Sequence, residues 1–312
     1  MLRTKNLSKH YEKTVAVENL NLNVRAGEIY GFLGPNGAGK TTTIRLLLGL
    51  LQPTSGDVFL FDTPISQDAI ALKRRIGVVA EEPLATTRMT AWEFIHFYAD
   101  LNQVARPEGR MDELFKALDL WDVRHALAAA YSRGMRQKLS LIRALVHRPD
   151  LLILDEPVNG LDPHGILQVR AVIDQHRDQG GAVLISSHIL SEIERSADRI
   201  GIMHQGRLLV EDDISGIRSR LGGNNIVELV LTDIPLGLAG SLSTLEGVTQ
   251  VEIKERAVAV HVNGGKDIRP EIFKAIVAQN GTIIEMGLQQ MSLEEAFVTI
   301  THQNVAQLAG AA

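Results

Sequence analysis

Eight consecutive residues near the start of the chain follow the pattern G-x-x-x-x-G-K-(S/T): Gly34, Pro35, Asn36, Gly37, Ala38, Gly39, Lys40 and Thr41. An apolar, strand-like run precedes them, and a helical run that begins at Thr42 follows them. Glycines let the backbone curl so that its N–H groups point at a polyphosphate, and the helix N-terminus adds partial positive charge. Lys40 adds a full charge, and Thr41 offers a hydroxyl to Mg²⁺. The segment, with Thr42 beside it, therefore predicts a nucleoside triphosphate site.

Two adjacent carboxylates form a second chemical pattern. Leu151–Leu154 is apolar throughout, which suits a buried parallel strand, and Asp155 and Glu156 follow it directly. Beside a phosphate loop, an acid at the end of a buried strand can hold Mg²⁺, and a second acid can polarise the attacking water. The alternative is a capped strand end whose carboxylates are merely solvated. The phosphate loop favours the functional pair over this alternative.

Two further segments are candidates for a functional role because of their position relative to these motifs. Ser132 and Gly134 lie where a helix would begin, which is again an anion-binding arrangement, although an ordinary serine N-cap is the better explanation of this segment taken alone. His188 follows the predicted strand that ends in Ser186-Ser187, and a lone histidine there is more often structural. Its place after a strand of the same predicted sheet, downstream of the two carboxylates, favours a functional role.

Strand-like and helical segments alternate along residues 1–220, which predicts an α/β domain. Apolar runs predict strands at Leu151–Leu154 and Ala182–Ser186, whereas helical spacing dominates Thr90–His147. We therefore predict a phosphate-loop domain that contains a helical subdomain at about residues 85–148.

Residues 224–302 show a different pattern and predict a small accessory α+β domain. A hairpin is expected around Glu255-Arg256 and a helix at Ile268–Gln279. From Gly223 onward the chain has five basic and ten acidic residues, whereas the preceding part is neutral. This change in charge supports a boundary near Gly222-Gly223. The Ala/Gly-rich tail at residues 303–312 is expected to be disordered.

Composition excludes several classes of protein. The chain has 312 residues and a formal net charge of -5, which argues against a nucleic-acid binder built on a broad basic face. It contains no cysteine, so it has no disulfide, thiolate metal site or cysteine nucleophile. Apolar runs stay well short of the ~20 residues of a membrane-spanning helix, and the N-terminal residues lack the core of a signal peptide. We expect a protein that is neither secreted nor integral to a membrane but can dock onto a membrane protein.

The order of the motifs resembles the ATP-binding cassette (ABC) ATPases. The motifs are the phosphate loop, S-x-G-M-x-Q, L-L-I-L-D-E-P, N-G-L-D and S-S-H. The resemblance covers about residues 1–220, and the Ser-x-Gly segment separates this family from other phosphate-loop enzymes. It implies that Gly34–Thr41 cradles the phosphates of ATP, that Asp155 binds Mg²⁺ and that Glu156 is the general base.

The same resemblance implies roles at an interface between two subunits. Ser132 and Gly134 would contact the γ-phosphate of ATP held by the opposite subunit, and Asp162 would be an acid that faces the dimer. His188 would touch the γ-phosphate. Tyr11 stands where the family places an aromatic that stacks on adenine, although a partly exposed tyrosine at a strand edge explains it nearly as well.

Two positions depart from the usual family pattern. Glu81 aligns with the Q-loop glutamine of the family. A carboxylate there can approach Mg²⁺ or water, but it adds negative charge beside the phosphates. Arg133 replaces a glycine of the Ser-x-Gly segment. Both departures resemble the branch of the family that energises exporters of drugs, antibiotic peptides or sodium. The small C-terminal domain is similar to an appendage common in that branch.

The resemblance implies an ATPase subunit that uses ATP and Mg²⁺, forms a homodimer or heterodimer and drives a separate integral membrane permease. It would lie at the cytoplasmic face of the cell membrane, with no nucleic-acid partner. One alternative is an ABC ATPase that acts on nucleic acid or ribosomes, but the chain has a single cassette and no basic excess. Another is a binding module in which ATP only switches the conformation of a partner. The transported substance would be chosen by the permease.

Overall fold

The computed structural model describes residues 1–12, 14–67, 69–80, 88–187, 190–220, 225–262, 267–289 and 297. The chain divides into two compact units, the first ending at Glu211 and the second beginning at Asp212. The boundary predicted near Gly222-Gly223 and the predicted tail at 303–312 lie outside the described residues. Within the described ranges, no helix combines the length and the apolar character that crossing a membrane would require.

The strands up to the junction of the two units are β1 Leu2–Tyr11, β2 Thr14–Leu20, β3 Asn23–Val24, β4 Ile29–Leu33, β5 Ser55–Leu60, β6 Thr63–Pro64, β7 Ile76–Val79, β8 Leu151–Asp155, β9 Ala182–Ser187, β10 Arg199–His204 and β11 Arg207–Asp212. The helices of the first unit are α1 Lys40–Leu47, α2 Ala69–Lys73, α3 Ala91–Leu101, α4 Glu108–Ala117, α5 Arg133–Leu145, α6 Pro163–Asp178 and α7 Leu190–Glu194. The second unit contains α8 Ile214–Arg220, β12 Asn225–Leu231, α9 Leu238–Ser243, β13 Val248–Lys254, β14 Ala257–Val262, α10 Arg269–Ala278 and β15 Ile283–Gln289.

A six-stranded sheet forms the centre of the first unit, and its strand order is β11-β10-β4-β9-β8-β7. The five strands from β10 to β7 in this order are parallel. Every residue of β4, β8 and β9 is buried, which is why these strands are continuous apolar runs in the sequence. The register pairs Leu33 with Ser187, and Asp155 with Ser186. Because the three strands are parallel and adjacent, their carboxyl ends lie at one edge of the sheet, as does whatever follows each strand.

A second, antiparallel sheet has the order β2-β1-β5-β6, with β3 also paired to β1. Its first strand, β1, was not among the strands predicted from the sequence. Two register shifts against β2, between Leu7 and Lys9 and between Lys9 and His10, interrupt the pairing. Leu7 and Ser8 are both buried, so the strict alternation that marks a half-buried strand is lost.

Helices α3, α4 and α5 form the helical part predicted between residues 90 and 147. Thr90 and Glu93 make a capping box, in which each side chain accepts a hydrogen bond from the backbone N–H of the other residue, and this fixes the start of α3. Helix α5 then returns to the parallel sheet. A guanidinium N–H of Arg143 donates to the carbonyl oxygen of Val78 in β7 over 2.7 Å.

The second unit is an antiparallel sheet of order β13-β14-β12-β15. The predicted hairpin around Glu255-Arg256 is confirmed, because β13 and β14 pair on either side of it. The hydrophobic core includes Leu229 of β12, Leu242 of α9 and Ile272 of α10. Helix α9 was not predicted, because six residues hold too few turns to show a period.

Two glycines of the first unit provide a matched test of how α5 packs against β7. A Cβ atom at Gly77 of β7 would overlap the carbonyl oxygen of Ala144 in α5, whereas a Cβ at Gly109 of α4 would meet nothing within 4 Å. We expect Gly77→Ala to destabilise the first unit by about 1–3 kcal/mol through overpacking. Gly109→Ala should stabilise it by up to about 1 kcal/mol, since alanine favours a helix over glycine.

Thermal unfolding followed by tryptophan fluorescence measures both changes, because the two tryptophans, Trp92 and Trp121, lie in the first unit. Each kcal/mol should move the midpoint by roughly 2–4 °C. A Gly77→Ala protein that melts at or above the wild-type temperature would contradict the close approach of β7 and α5.

Candidate functional site

The loop between β4 and α1 carries the predicted phosphate-binding residues. Glycine is required at two of its positions for steric reasons. Gly39, the N-cap of α1, has a φ of +104°, and a Cβ there would overlap the carbonyl oxygen of Ala16. A Cβ at Gly34 would lie 2.5 Å from the carbonyl oxygen of Met203. The loop is therefore packed tightly against its neighbours on one side, so its other side is left to face a ligand.

Lys40 lies within the curl of this loop. Its side chain is buried, with 7% exposure, and its Nζ donates to the carbonyl oxygen of Gly34 over 2.6 Å and to that of Pro35 over 3.3 Å. A buried ammonium needs such partners, since an unpaired charge is costly inside a protein. The loop thus holds one positive charge at the N-terminus of α1, where the helix dipole also favours an anion.

An open cavity of about 370 Å³ lies against the loop, which is within the size range of small-molecule sites. It is lined by Thr14, Val15, Ala16, Pro35, Asn36, Gly37, Gly39, Lys40, Thr41, Thr42, Asp155 and Glu156. The structure therefore brings most of the predicted loop residues and both carboxylates to one cavity. Gly34 and Ala38 are not in its lining, and Ala38 is buried.

Asp155 ends β8 and lines this cavity. One carboxylate oxygen, Oδ2, accepts a hydrogen bond of 3.4 Å from the hydroxyl of Thr41, and the other, Oδ1, accepts one from the hydroxyl of Ser186. Hydroxyl and carboxylate oxygens are the donors that Mg²⁺ prefers, and Mg²⁺ takes one or two carboxylates together with phosphates. Thr41 and Asp155 therefore fit a magnesium ion that is shared with a bound triphosphate.

Glu156 follows in a strained conformation. It is buried, with 5% exposure, and its φ of +51° lies in the left-handed region that non-glycine residues seldom adopt. Its N–H donates to the carbonyl oxygen of Ser186 over 3.1 Å, which continues the pairing of β8 and β9 by one residue. Such strain costs about 1–3 kcal/mol and persists where the surroundings hold the residue. The backbone therefore turns sharply here, and the carboxylate lines the cavity beside Asp155.

Gln137, the last residue of the S-x-G-M-x-Q motif, is a buried polar residue to which the sequence assigned no role. Its exposure is 2%, and its amide Nε2 donates to the carbonyl oxygens of Pro157 and Glu156 over 3.1 and 3.4 Å. It therefore links α5 to the segment that carries Glu156. The signal in the sequence was an amide among the apolar residues on the buried face of α5.

The Ser-x-Gly segment begins α5. Ser132 is the N-cap, and its hydroxyl accepts a hydrogen bond of 3.2 Å from the N–H of Met135. The preceding Tyr131 is buried and donates its hydroxyl to the carbonyl oxygen of Val123 over 2.9 Å, and burial raises the pKa of Tyr131 to about 12. Ser132 is exposed and Gly134 half-buried, and neither is among the described residues that line the cavity.

Asp162 is the N-cap of α6, where its side chain accepts a hydrogen bond of 2.8 Å from the N–H of Gly165. Tyr11 ends β1 with 48% of its surface exposed, and the ammonium of Lys9 lies 5.3 Å from the centre of its ring. Val15 lines the cavity, whereas Tyr11 does not. The adenine contact of Tyr11 therefore stays a prediction.

Glu81 and His188 lie outside the described residues, so their predicted roles also stay predictions. The described residues end immediately before each of them. Strand β7 ends at Val79, and β9 ends at Ser187, which is buried beside the cavity-facing end of the sheet.

Comparison with known proteins agrees with this geometry. The pattern of the family described as "ABC transporter" matches residues 17–159, and that of the "ATP-binding protein DrrA1-3-like, C-terminal domain" matches residues 213–301. The bacitracin transport ATP-binding protein of Bacillus licheniformis is 42% identical over 75% of this chain and 76% of its own length. The daunorubicin/doxorubicin resistance ATP-binding protein of Streptomyces peucetius is 34% identical over 96% of this chain and 92% of its own.

A solved structure of an ATP-binding subunit of an ABC transporter is similar in fold. It has a TM-score of 0.68 and 29% sequence identity, and the match covers 71% of this chain and 93% of that one. The predicted fold class, an α/β phosphate-loop domain with an added C-terminal domain, is thereby confirmed. The chain belongs to the ABC transporter family as an ATP-binding subunit, whose hydrolysis of ATP is coupled to transport.

Proposed function

We propose that this chain is the ATPase subunit of an exporter and that two subunits enclose two Mg-ATP between them. The conformational change would pass to a separate permease at the cytoplasmic face of the cell membrane. The observation that carries the proposal is the meeting of Lys40, Thr41, Asp155 and Glu156 at one cavity. Hydrolysis of a triphosphate requires a polyphosphate site, oxygen ligands for Mg²⁺ and a further carboxylate that can act on the attacking water.

ATP would lie with its phosphates along the loop. The backbone N–H groups of Gly37–Thr41, the N-terminus of α1 and the Lys40 ammonium supply positive potential there. Thr41 and Asp155 would hold Mg²⁺, and Glu81 is proposed to approach it. The ion, when bound, offsets negative charge on the phosphates. Binding of the phosphates would draw Lys40 from its two carbonyl partners towards the ligand.

Glu156 would act as the general base. Its carboxylate is held next to Asp155 by the turn at φ +51°, and it would accept a proton from the water that attacks the γ-phosphate. His188 is proposed to touch the γ-phosphate. Water other than the nucleophile would be excluded when a partner covers the open cavity.

A second subunit would supply that cover. Ser132 and Asp162 are exposed, Gly134 is half-buried, and none of the three is among the described residues that line the cavity of their own chain. Ser132 and Gly134 stand at the N-terminus of α5, which has no acidic residue in its first turn and therefore favours an anion. We propose that they contact the γ-phosphate of ATP in the partner, and that Asp162 faces the same interface.

The relatives suggest the class of transported compound. Their names concern transport of bacitracin and resistance to daunorubicin and doxorubicin, which are antibiotics. The second of these relatives matches this chain through both units. We therefore propose that the partner permease exports an antibiotic-like compound and that the permease selects it.

Lys40→Ala should weaken binding of Mg-ATP by roughly tenfold or more, because it removes hydrogen bonds from a charged group to the phosphates. Isothermal titration calorimetry measures the affinity. Lys254→Ala, an exposed lysine of the second unit, is the matched control and should bind ATP as the wild type does. Unchanged affinity in Lys40→Ala would contradict the assignment of the loop.

Glu156→Gln should slow turnover by roughly 10²-fold or more while it leaves ATP binding intact, since a general base contributes about that much. Because the uncleaved ATP then remains between the subunits, saturating Mg-ATP should convert this variant to dimers. Light scattering measures the mass, which should double from 34.2 kDa. Glu246→Gln, at an exposed site, should behave as the wild type. Normal turnover in Glu156→Gln excludes it as the base, and monomers alone would exclude the enclosed dimer.

The permease partner can be identified by purification of the tagged chain from the membrane fraction of its native cells. We expect a polytopic membrane protein to co-purify in stoichiometric amount and to be identified by mass spectrometry. Recovery of the chain without such a protein, under detergent conditions that preserve other transporter complexes, would contradict the proposed coupling.

A further inference from the structure

Arg133 stands where the Ser-x-Gly segment of the family usually has a glycine, and its side chain is exposed. Among the described residues, its guanidinium has no hydrogen-bond or ion-pair partner. Its aliphatic stem nevertheless has a definite neighbour. A Cβ atom placed on Gly160 would lie 3.0 Å from both Cδ and Nε of Arg133 and 3.4 Å from Cγ. The stem of Arg133 therefore lies across the bare backbone of Gly160.

Gly160 belongs to the segment 156–162, which joins β8 to α6. Its φ is +81°, so glycine is favoured there on conformational grounds as well as steric ones. A second residue in the first turn of α5, Gly134, also lies against Gly160. A Cβ on Gly134 would lie 3.2 Å from the carbonyl oxygen of Gly160 and 3.4 Å from Cδ2 of Leu161. The segment and the start of α5 are thus in direct contact.

Four residues further along α5, Gln137 holds the other end of the segment through the carbonyl oxygens of Glu156 and Pro157. Residues four apart lie on the same face of a helix. Arg133 and Gln137 therefore form a two-point clamp, with the stem of Arg133 on Gly160 and the amide of Gln137 on the residues that follow β8. We call this pair the α5 clamp.

The α5 clamp is itself fixed in place. The hydroxyl of Tyr131 is bonded to the carbonyl oxygen of Val123, and the ammonium of Lys138 donates to Oε1 of Gln168 in α6 over 2.6 Å. Helix α5 is therefore tied down both before and beyond Arg133. A side chain that is carried by so constrained a helix can hold a loop.

The segment 156–162 has few backbone hydrogen bonds between its own residues. Within the segment, the N–H of Asn159 donates to the carbonyl oxygen of Glu156 over 3.2 Å and that of Leu161 to the carbonyl oxygen of Val158 over 3.1 Å, while the N–H of Glu156 donates to Ser186 of β9. Glu156 at one end is in the left-handed region, a conformation that persists only where its surroundings impose it. Gly160 is the residue of the segment with the widest conformational freedom. Loss of the stem that covers Gly160 should therefore let Glu156 move.

We propose that Arg133 is a positioning residue for hydrolysis, and that its aliphatic stem, rather than its charge, keeps Glu156 in place. The proposal rests on the proposed role of Glu156 as general base. Long polar side chains commonly cover apolar or bare backbone surface with their methylene groups while the charged end stays in water. The arginine at this position thus supplies the cover that a glycine cannot.

The test compares Arg133→Gly, Arg133→Met and Arg133→Lys in the full-length chain by steady-state phosphate release. We expect Arg133→Gly to lower kcat by roughly tenfold, because misplacement of a catalytic group by about an ångström has effects of this order or more. KM for ATP should stay within about twofold, since the phosphate loop is untouched. Methionine and lysine both retain an unbranched stem, so both should restore kcat to within about twofold of the wild type.

Three outcomes would overturn the proposal. A wild-type kcat in Arg133→Gly would show that the stem of Arg133 does not keep Glu156 in place. Restoration by lysine but not by methionine means that the charge matters, as in a contact with phosphate in the partner subunit. A rise in KM with unchanged kcat means that Arg133 affects nucleotide binding instead.

A second measurement tests the same contact by changing Gly160 instead of Arg133. Gly160→Ala introduces a clash with the stem of Arg133 together with backbone strain, and only the clash should disappear when residue 133 is glycine. We therefore expect Gly160→Ala to lower kcat by a larger factor in the wild-type background than in Arg133→Gly. Equal factors in both backgrounds would show that residues 133 and 160 act independently.

Failure of this proposal is distinguishable from failure of the proposed function. In the Glu156→Gln background, which removes hydrolysis, Arg133→Gly should leave formation of the ATP-dependent dimer unchanged. If Glu156→Gln alone keeps the wild-type rate, the base assignment fails, whatever Arg133 does. If Glu156→Gln is slow and Arg133→Gly is normal, the positioning role alone fails.

Discussion

The parallel pairing of β4, β9 and β8 is the constraint on which the site depends. The three strands are buried on both faces, and their common direction brings the phosphate loop, Ser186-Ser187 and the Asp155-Glu156 pair to one edge. The hydroxyls of Thr41 and Ser186 both reach Asp155, so the carboxylate is fixed from the neighbouring loop and the neighbouring strand. Residues more than a hundred positions apart in the chain thereby form one cavity, without any need for long side chains.

Those strands are also what the sequence predicted best, for a physical reason. A strand that is buried on both faces must be a continuous apolar run, and such runs at Leu151–Leu154 and Ala182–Ser186 predicted their strands to within a residue. The phosphate loop was predictable because sterics leave little choice at Gly34 and Gly39. β1 was missed since its pairing is irregular, and α9 since it is short.

The sequence could not predict how the site is held together. The left-handed conformation of Glu156 is imposed by its surroundings, because nothing in the local residue types favours it. The hydrogen bonds of Gln137 and the position of Arg133 over Gly160 depend on how α5 packs, which is a tertiary property. Local patterns therefore located the candidate catalytic and binding groups that share the cavity, while the contacts around them emerged only from the folded chain.

The close fit between Arg133 and Gly160 makes the cost of a substitution at one of these positions depend on the residue at the other. While position 133 carries a long side chain, any side chain at position 160 meets it as well as an unfavourable φ. A substitution at 160 therefore carries a steric cost that depends on the length of the side chain at 133, in addition to a conformational cost that does not. A short residue at 133 would remove only the first of these two costs.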